Sequence, residues 1–170
     1  MKILGISGSA SLQSSNFYLL KAIQGEIKNK HSMKIAGNLS EFPLFTPQLL
    51  ESGIPKCVLN FKKELIHNDA IIMSTPEYTH NIPAVLKNMI EWCTHSGEFE
   101  SKKIIVMTFT PYEPRGKFAM QSLLCSLKAM KANIITQFPL YKTDVRFLNK
   151  EISFTEESKT LIKEAVKLLE

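Results

Sequence analysis

Three short apolar runs, each ended abruptly by a glycine or a proline, restrict this chain to very few architectures. Lys2–Ser7 stops at Gly8, Ala70–Thr75 at Pro76, and Lys103–Thr110 (KIIVMTFT) at Pro111. Runs without polar alternation belong to strands buried on both faces, as in a parallel sheet covered by helices on either side. Met33–Leu39 and Ile134–Phe138 are weaker strand candidates. Helical patterns lie between the runs. Ser15–Asn29 carries Phe17, Leu19, Leu20, Ile23 and Ile27 at helical spacing. Val58–His67, Pro83–Thr94, Lys117–Met130 and Glu156–Leu169 follow, with Pro83 at a first helical position and Thr155 as an N-cap.

Five strands alternating with five helices predict an α/β fold: a doubly wound five-stranded parallel sheet of order 2-1-3-4-5, with helices on both faces. No repeat or long linker divides the chain, so residues 1–170 are expected to form one domain. Ligands of such sheets bind beyond the carboxyl ends of the strands, which singles out the loops after Ser7, Thr75 and Thr110. Of 21 cations only Arg115 and Arg146 are arginines, and the +5 net charge is scattered, which argues against a nucleic-acid partner. Cys57, Cys93 and Cys125 are too few and too widely spaced for a disulfide framework or a C-x-x-C motif, and they read as buried helical thiols. No signal peptide and no run of about 20 apolar residues is present, so a cytoplasmic protein without a membrane partner is expected.

The first loop, Gly8–Asn16, feeds the first helix and is rich in hydroxyls. Ser9, Ser14, Ser15 and Asn16 can each donate to a phosphate oxygen without adding charge, next to the free N–H groups of the helix start. An ordinary turn capped by Ser14 or Ser15 explains the same residues, and spacing alone leaves both readings open. Gly-Lys-Ser/Thr and G-x-G-x-x-G are absent, no acidic residue precedes Asn16, and no cysteine precedes position 57. P-loop, dinucleotide-fingerprint, receiver and cysteine-phosphatase readings therefore fail.

In the second loop, Pro76 and Pro83 hold the backbone between them stiff, which suits a planar heterocycle with donors and acceptors along one edge. Pro76-Glu77-Tyr78-Thr79-x-x-x-Pro83-x-x-Leu86-Lys87-Asn88-x-x-x-Trp92 resembles the P-E-Y-N-x-x-x-P-x-x-L-K-N-x-x-D-W signature of NADPH-dependent FMN reductases. Gly8-Ser9, Ser14 and Asn16 are similar to the family's G-S-x-R-x-x-S-x-N segment. The resemblance implies a flavodoxin-like fold, bound FMN with NAD(P)H as co-substrate, and a homodimer or homotetramer. It places the phosphate among Ser9, Ser14, Asn16 and neighbouring backbone, and the ring against Pro76, Glu77, Tyr78 and Thr79. Glu77 reads first as a helix-flanking or interface salt bridge, and Lys87, Asn88 and Trp92 as braces.

Three positions depart from the signature: Ser11 stands for the arginine, Thr79 for the asparagine and Glu91 for the aspartate. In the third loop, where relatives carry Gly-Gly, this chain has Arg115-Gly116, so Thr110 and Gly116 are the expected flavin neighbours and Arg115 a solvated cation. His80 reads as an exposed loop histidine. The implied activity is hydride transfer from NAD(P)H through FMN to a small acceptor: a quinone, azo compound, nitroaromatic or metal oxyanion. No side chain is needed as nucleophile. The alternatives are a flavodoxin-type electron carrier, which the positive charge disfavours, and an FMN-binding module without turnover.

Overall fold

The computed structural model describes all 170 residues. The three continuous apolar runs form its centre. β1 (Lys2–Ser7) lies between β2 (Ser32–Ile35) and β3 (Ala70–Thr75), and β4 (Lys103–Thr110) and β5 (Asn133–Tyr141) follow, all parallel in the order β2-β1-β3-β4-β5. This is the expected flavodoxin-like order.

Strand side chains alternate between two cores. Leu4, Ile6, Ile71, Met73, Ile104 and Val106 pack with α3 (Lys56–His67), α4 (Ala84–Trp92) and α5 (Lys117–Ala129). Ile3, Ala70, Ile72, Ile105, Met107 and Phe109 face α1 (Ser15–Ile27) and α6 (Glu156–Lys167). Every residue of β3 is buried, which is why its sequence shows no polar alternation.

Several boundaries differ from expectation. β2 ends at Ile35 because the Ala36 N–H to Gly5 carbonyl bond is its last link to β1, and Leu39–Glu41 turns as a short 3-10 helix. β5 runs on through Pro139 to Tyr141, since an edge strand can spare one N–H. α4 starts at Ala84, with Pro83 as its cap. Two further elements carried too little pattern to be read. α2 (Pro47–Ser52) buries no residue. A hairpin of β6 (Val145–Leu148) and β7 (Glu151–Phe154) closes through Asn149 and Lys150, both at positive φ, as two-residue hairpin turns require. The expectation of three buried thiols holds only for Cys93; Cys57 is half-buried and Cys125 exposed, because α3 and α5 turn those positions away from the core. No helix is long and apolar enough to cross a membrane.

The motif helix α4 braces the loop before α2. Asn88 Nδ2 and Trp92 Nε1 both donate to the Pro43 carbonyl, at 3.0 and 2.8 Å, and Asn88 Oδ1 accepts the Phe45 N–H at 2.8 Å. Lys87 pairs with Glu91 along the same helix at 2.8 Å.

The first loop is pressed onto β3. Gly8 donates to the Ser74 carbonyl at 2.8 Å, and a Cβ at Gly8 would stand 2.7 Å from both Leu86 Cδ2 and Thr75 Oγ1. Gly8→Ala is therefore expected to cost about 1–3 kcal/mol in guanidinium denaturation. Gly25→Ala, inside α1 with nothing within 4 Å of the added methyl, should instead gain about 0.5–1 kcal/mol.

Candidate functional site

The loops after β1, β3 and β4 converge beyond the carboxyl ends of the strands, drawn together by Asn16. Its side chain, 1% exposed, donates from Nδ2 to the Phe109 carbonyl at 3.3 Å and accepts the Ser74 hydroxyl at Oδ1 at 2.6 Å. Ser14 caps α1, its Oγ accepting the Phe17 N–H at 3.1 Å. Ser9 Oγ accepts the Ser11 N–H at 3.3 Å and keeps its own hydrogen to donate. The N–H groups of Ser9, Ala10, Ser15 and Asn16 have no partner within the chain. The cradle for an anion is thus mainly backbone, held in place by the Ser14 and Asn16 side chains.

The second loop folds into a tight turn in which Tyr78 and Asn81 exchange both backbone hydrogen bonds at 2.9 Å. Thr79 and His80 sit at φ +48° and +57°, the arrangement of a type I′ turn. Asparagine tolerates that region and a β-branched threonine does not, so the departure at position 79 acts on the backbone as well as on side-chain reach.

Glu77 reaches across to α5. Its Oε2 accepts the Phe118 and Ala119 N–H groups at 2.9 and 3.0 Å, capping the helix in place of Gly116, which has no side chain to do so. Burial pushes this carboxyl up, but the N–H groups of Ala119, Gly116 and Phe118, together with nearby His80, outweigh it and hold the pKa below the ordinary value. The His80 ring packs edge-on against Phe118 at 4.7 Å and remains exposed. Gly116, at φ +98°, lies against Thr108, where a Cβ would come within 2.7 Å of Thr108 Oγ1. Thr110 Oγ1 donates to the Arg115 carbonyl at 3.0 Å, tying down the third loop.

Between these loops opens a cleft of about 500 Å³ lined by Ser15, Pro76, Glu77, Tyr78, Thr79, Phe109, Thr110, Pro111, Arg115 and Lys142. A side pocket of about 240 Å³ continues it between Thr79 and His80 on one side and Pro114, Arg115 and Phe118 on the other. Six expected residues line the cleft: Ser15, Pro76, Glu77, Tyr78, Thr79 and Thr110. Ser9, Ser14, Asn16 and Gly116 sit outside its lining, Ser14 and Asn16 shaping the loop and Gly116 permitting close approach. Phe109, Pro111 and Lys142 were not anticipated. Phe109 was legible as the penultimate residue of an apolar strand, whereas Lys142 follows a strand whose length the sequence hid. A groove of about 630 Å³ between α4 and α5 contains none of the loop residues.

The cleft fits a flavin mononucleotide. Its volume is that of a small-molecule site, Ser15 at the α1 start brings an unpaired N–H group to its lining, and Tyr78, 54% exposed, offers a flat apolar face there.

Glu77→Gln is expected to lower stability by about 1–2 kcal/mol at neutral pH in guanidinium denaturation. A carboxylate held low in the fold stabilises fully above its unfolded value near 4.5 and loses that contribution as pH falls through the folded value, so the two proteins should converge in acid. Thr79→Asn should gain about 0.5–1 kcal/mol in the same assay by relieving the positive φ.

Comparison with known proteins agrees with the geometry. Residues 1–142 match the family model described as NADPH-dependent FMN reductase. An NAD(P)H-dependent FMN reductase of Pseudomonas aeruginosa is 27% identical over 172 residues, covering 100% of this chain and 90% of that protein. Among solved structures, the flavoenzyme NAD(P)H:(acceptor) oxidoreductase FerB of Paracoccus denitrificans has a TM-score of 0.78 at 19% identity, over 99% of this chain and 94% of that one. Oxidised flavodoxin 1 of Bacillus cereus shares the fold with a TM-score of 0.62 at 14% identity, over 99% and 97% of the two chains. The chain belongs to the NADPH-dependent FMN reductase family.

Proposed function

We propose that this protein is an FMN-dependent NAD(P)H oxidoreductase that passes hydride through bound FMN to a small acceptor in a ping-pong cycle. The observation that supports this reading best is a single cleft that joins the unpaired N–H groups of the α1 start to the rigid Pro76–Thr79 turn. FMN, when bound, supplies the redox chemistry, and the chain supplies binding, orientation and access. Ser9, Ser15 and Asn16 hold the phosphate through N–H and hydroxyl donors. The Pro76–Thr79 turn would hold the ring, with Thr110 and Gly116 beside it on the third loop.

The exposed side chains of Tyr78, His80 and Arg115 flank the open side, where nicotinamide and then a quinone, azo compound, nitroaromatic or metal oxyanion enter in turn. The buried Cys93 is unsuited to act as a nucleophile: burial, reinforced by Glu98, pushes its thiol up to about 12, which keeps it protonated. Residues 1–170 act as one FMN-binding domain, assembled as a homodimer or homotetramer.

Titration of the purified protein with FMN should quench flavin fluorescence, and anaerobic NADPH or NADH should then bleach the bound flavin, with colour returning on addition of a quinone. A protein that binds no FMN overturns the proposal. Binding without bleaching would identify an electron carrier or a binding module instead.

A further inference from the structure

The family match ends at Lys142, and the chain from that residue onward brings to the first loop something that loop lacks. With serine at position 11, Gly8–Asn16 contains no charged side chain. A phosphate held there by N–H and hydroxyl donors alone would keep its full negative charge without a counter-ion.

The structure delivers two cations from the far end of the chain. Lys150, in the β6–β7 turn, donates from Nζ to Gln13 Oε1 in the first loop at 2.6 Å. Lys142, at the end of β5, lines the cleft together with Ser15 and Thr110. One aromatic contact organises both. Phe147 of β6 packs 6.2 Å from Tyr18 on α1, and Lys142 Nζ lies 5.7 Å from the centre of the Phe147 ring. The hairpin is thereby fastened along α1, with Lys150 at Gln13 and Lys142 in the cleft beside Ser15.

Neither lysine forms an ion pair. Of the nearby carboxylates, Glu77 caps α5 and Asp144 accepts the Tyr141 N–H at 2.8 Å, while Glu113 and Glu151 are exposed and pair with neither lysine. Lys150 rests on a neutral amide oxygen, a weaker acceptor than phosphate, and its flexible stem can exchange one for the other.

We propose that Lys142 and Lys150 form a phosphate clamp that replaces the missing first-loop arginine, built from the β5 end and the β6–β7 hairpin. This rests on the reading that the cleft binds FMN. The phosphate it neutralises belongs either to FMN or to the additional phosphate of NADPH, and the two sources are separable.

The test measures dissociation constants of FMN and riboflavin by fluorescence quenching for the full chain, for Lys142→Met, for Lys150→Met and for the double variant, at low and high salt. Lys163→Met, on α6, removes the same charge away from the cleft and serves as control. The expected result is an FMN affinity about tenfold weaker in the double variant, with a shallower salt dependence. Riboflavin affinity should change less than about twofold, because it lacks the phosphate. Adding Ser11→Arg to the double variant should restore most of the FMN affinity. If FMN binding is unchanged while KM rises for NADPH and not for NADH, the clamp serves the dinucleotide phosphate. Unchanged FMN binding with unchanged KM for both nucleotides overturns the clamp. So does an equal loss for riboflavin and FMN, which would mark a structural effect. A wild-type chain that binds no flavin overturns the functional reading on which the clamp stands.

Discussion

The buried amide of Asn16 is the contact on which the carboxyl edge of the sheet depends. It joins the first turn of α1 to the ends of β3 and β4, which are themselves neighbours in the sheet. An unpaired amide at that depth would be costly, so the two bonds lock the first helix turn into one position relative to both strands. Once that turn is placed, the N–H groups of Ser15 and Asn16 have a defined location, and Gly8 must pass close to Thr75 for the chain to reach it. The cluster of unpaired N–H groups is therefore a consequence of how the strand ends are tied.

Glu77 performs the corresponding task on the other side of the cleft. Its carboxylate joins the second loop to the start of α5, which lacks a capping side chain of its own, and so closes one wall of the site. Asn88 and Trp92 extend the framework away from the site by holding Pro43 and Phe45. Much of the signature that resembles a ligand motif is scaffold: Glu77 and the α4 residues fix loops to one another. From this loop Pro76, Glu77, Tyr78 and Thr79 line the cleft, with Tyr78 the most open to solvent among the large apolar side chains there. That division of labour explains how a loop can depart from the family at Thr79 while the surrounding bonds keep the same turn.

The charge of the site is divided along the chain in an unusual way. The first loop carries none, and the cations near the cleft, Arg115, Lys142 and Lys150, come from the third loop and from segments around and beyond the last sheet strand. A hairpin that adds nothing to the parallel sheet is attached to α1 through Phe147 and Tyr18.

The apolar runs and the residues that end them specify the sheet and put the candidate site at its carboxyl edge. Continuous apolar runs ended by Gly8, Pro76 and Pro111 can only be central strands, and their carboxyl ends then converge whatever the loops contain. The cleft-lining residues Ser15, Pro76, Glu77, Tyr78, Thr79 and Thr110 were legible for that reason, and the resemblance around Pro76–Trp92 pointed to a flavin as the expected ligand. Which polar groups face the cleft and which bind their own chain depends on contacts between distant segments. A serine or asparagine at a helix start reads alike in both roles, and the choice for Ser14 and Asn16 depends on partners up to 93 residues away. The same holds for Glu77, whose partners lie 41 and 42 residues on, and for Lys142 and Lys150, whose neighbours in space are among the first residues of the chain. Local pattern records burial and turn chemistry; long-range pairing of polar groups leaves no periodicity to read.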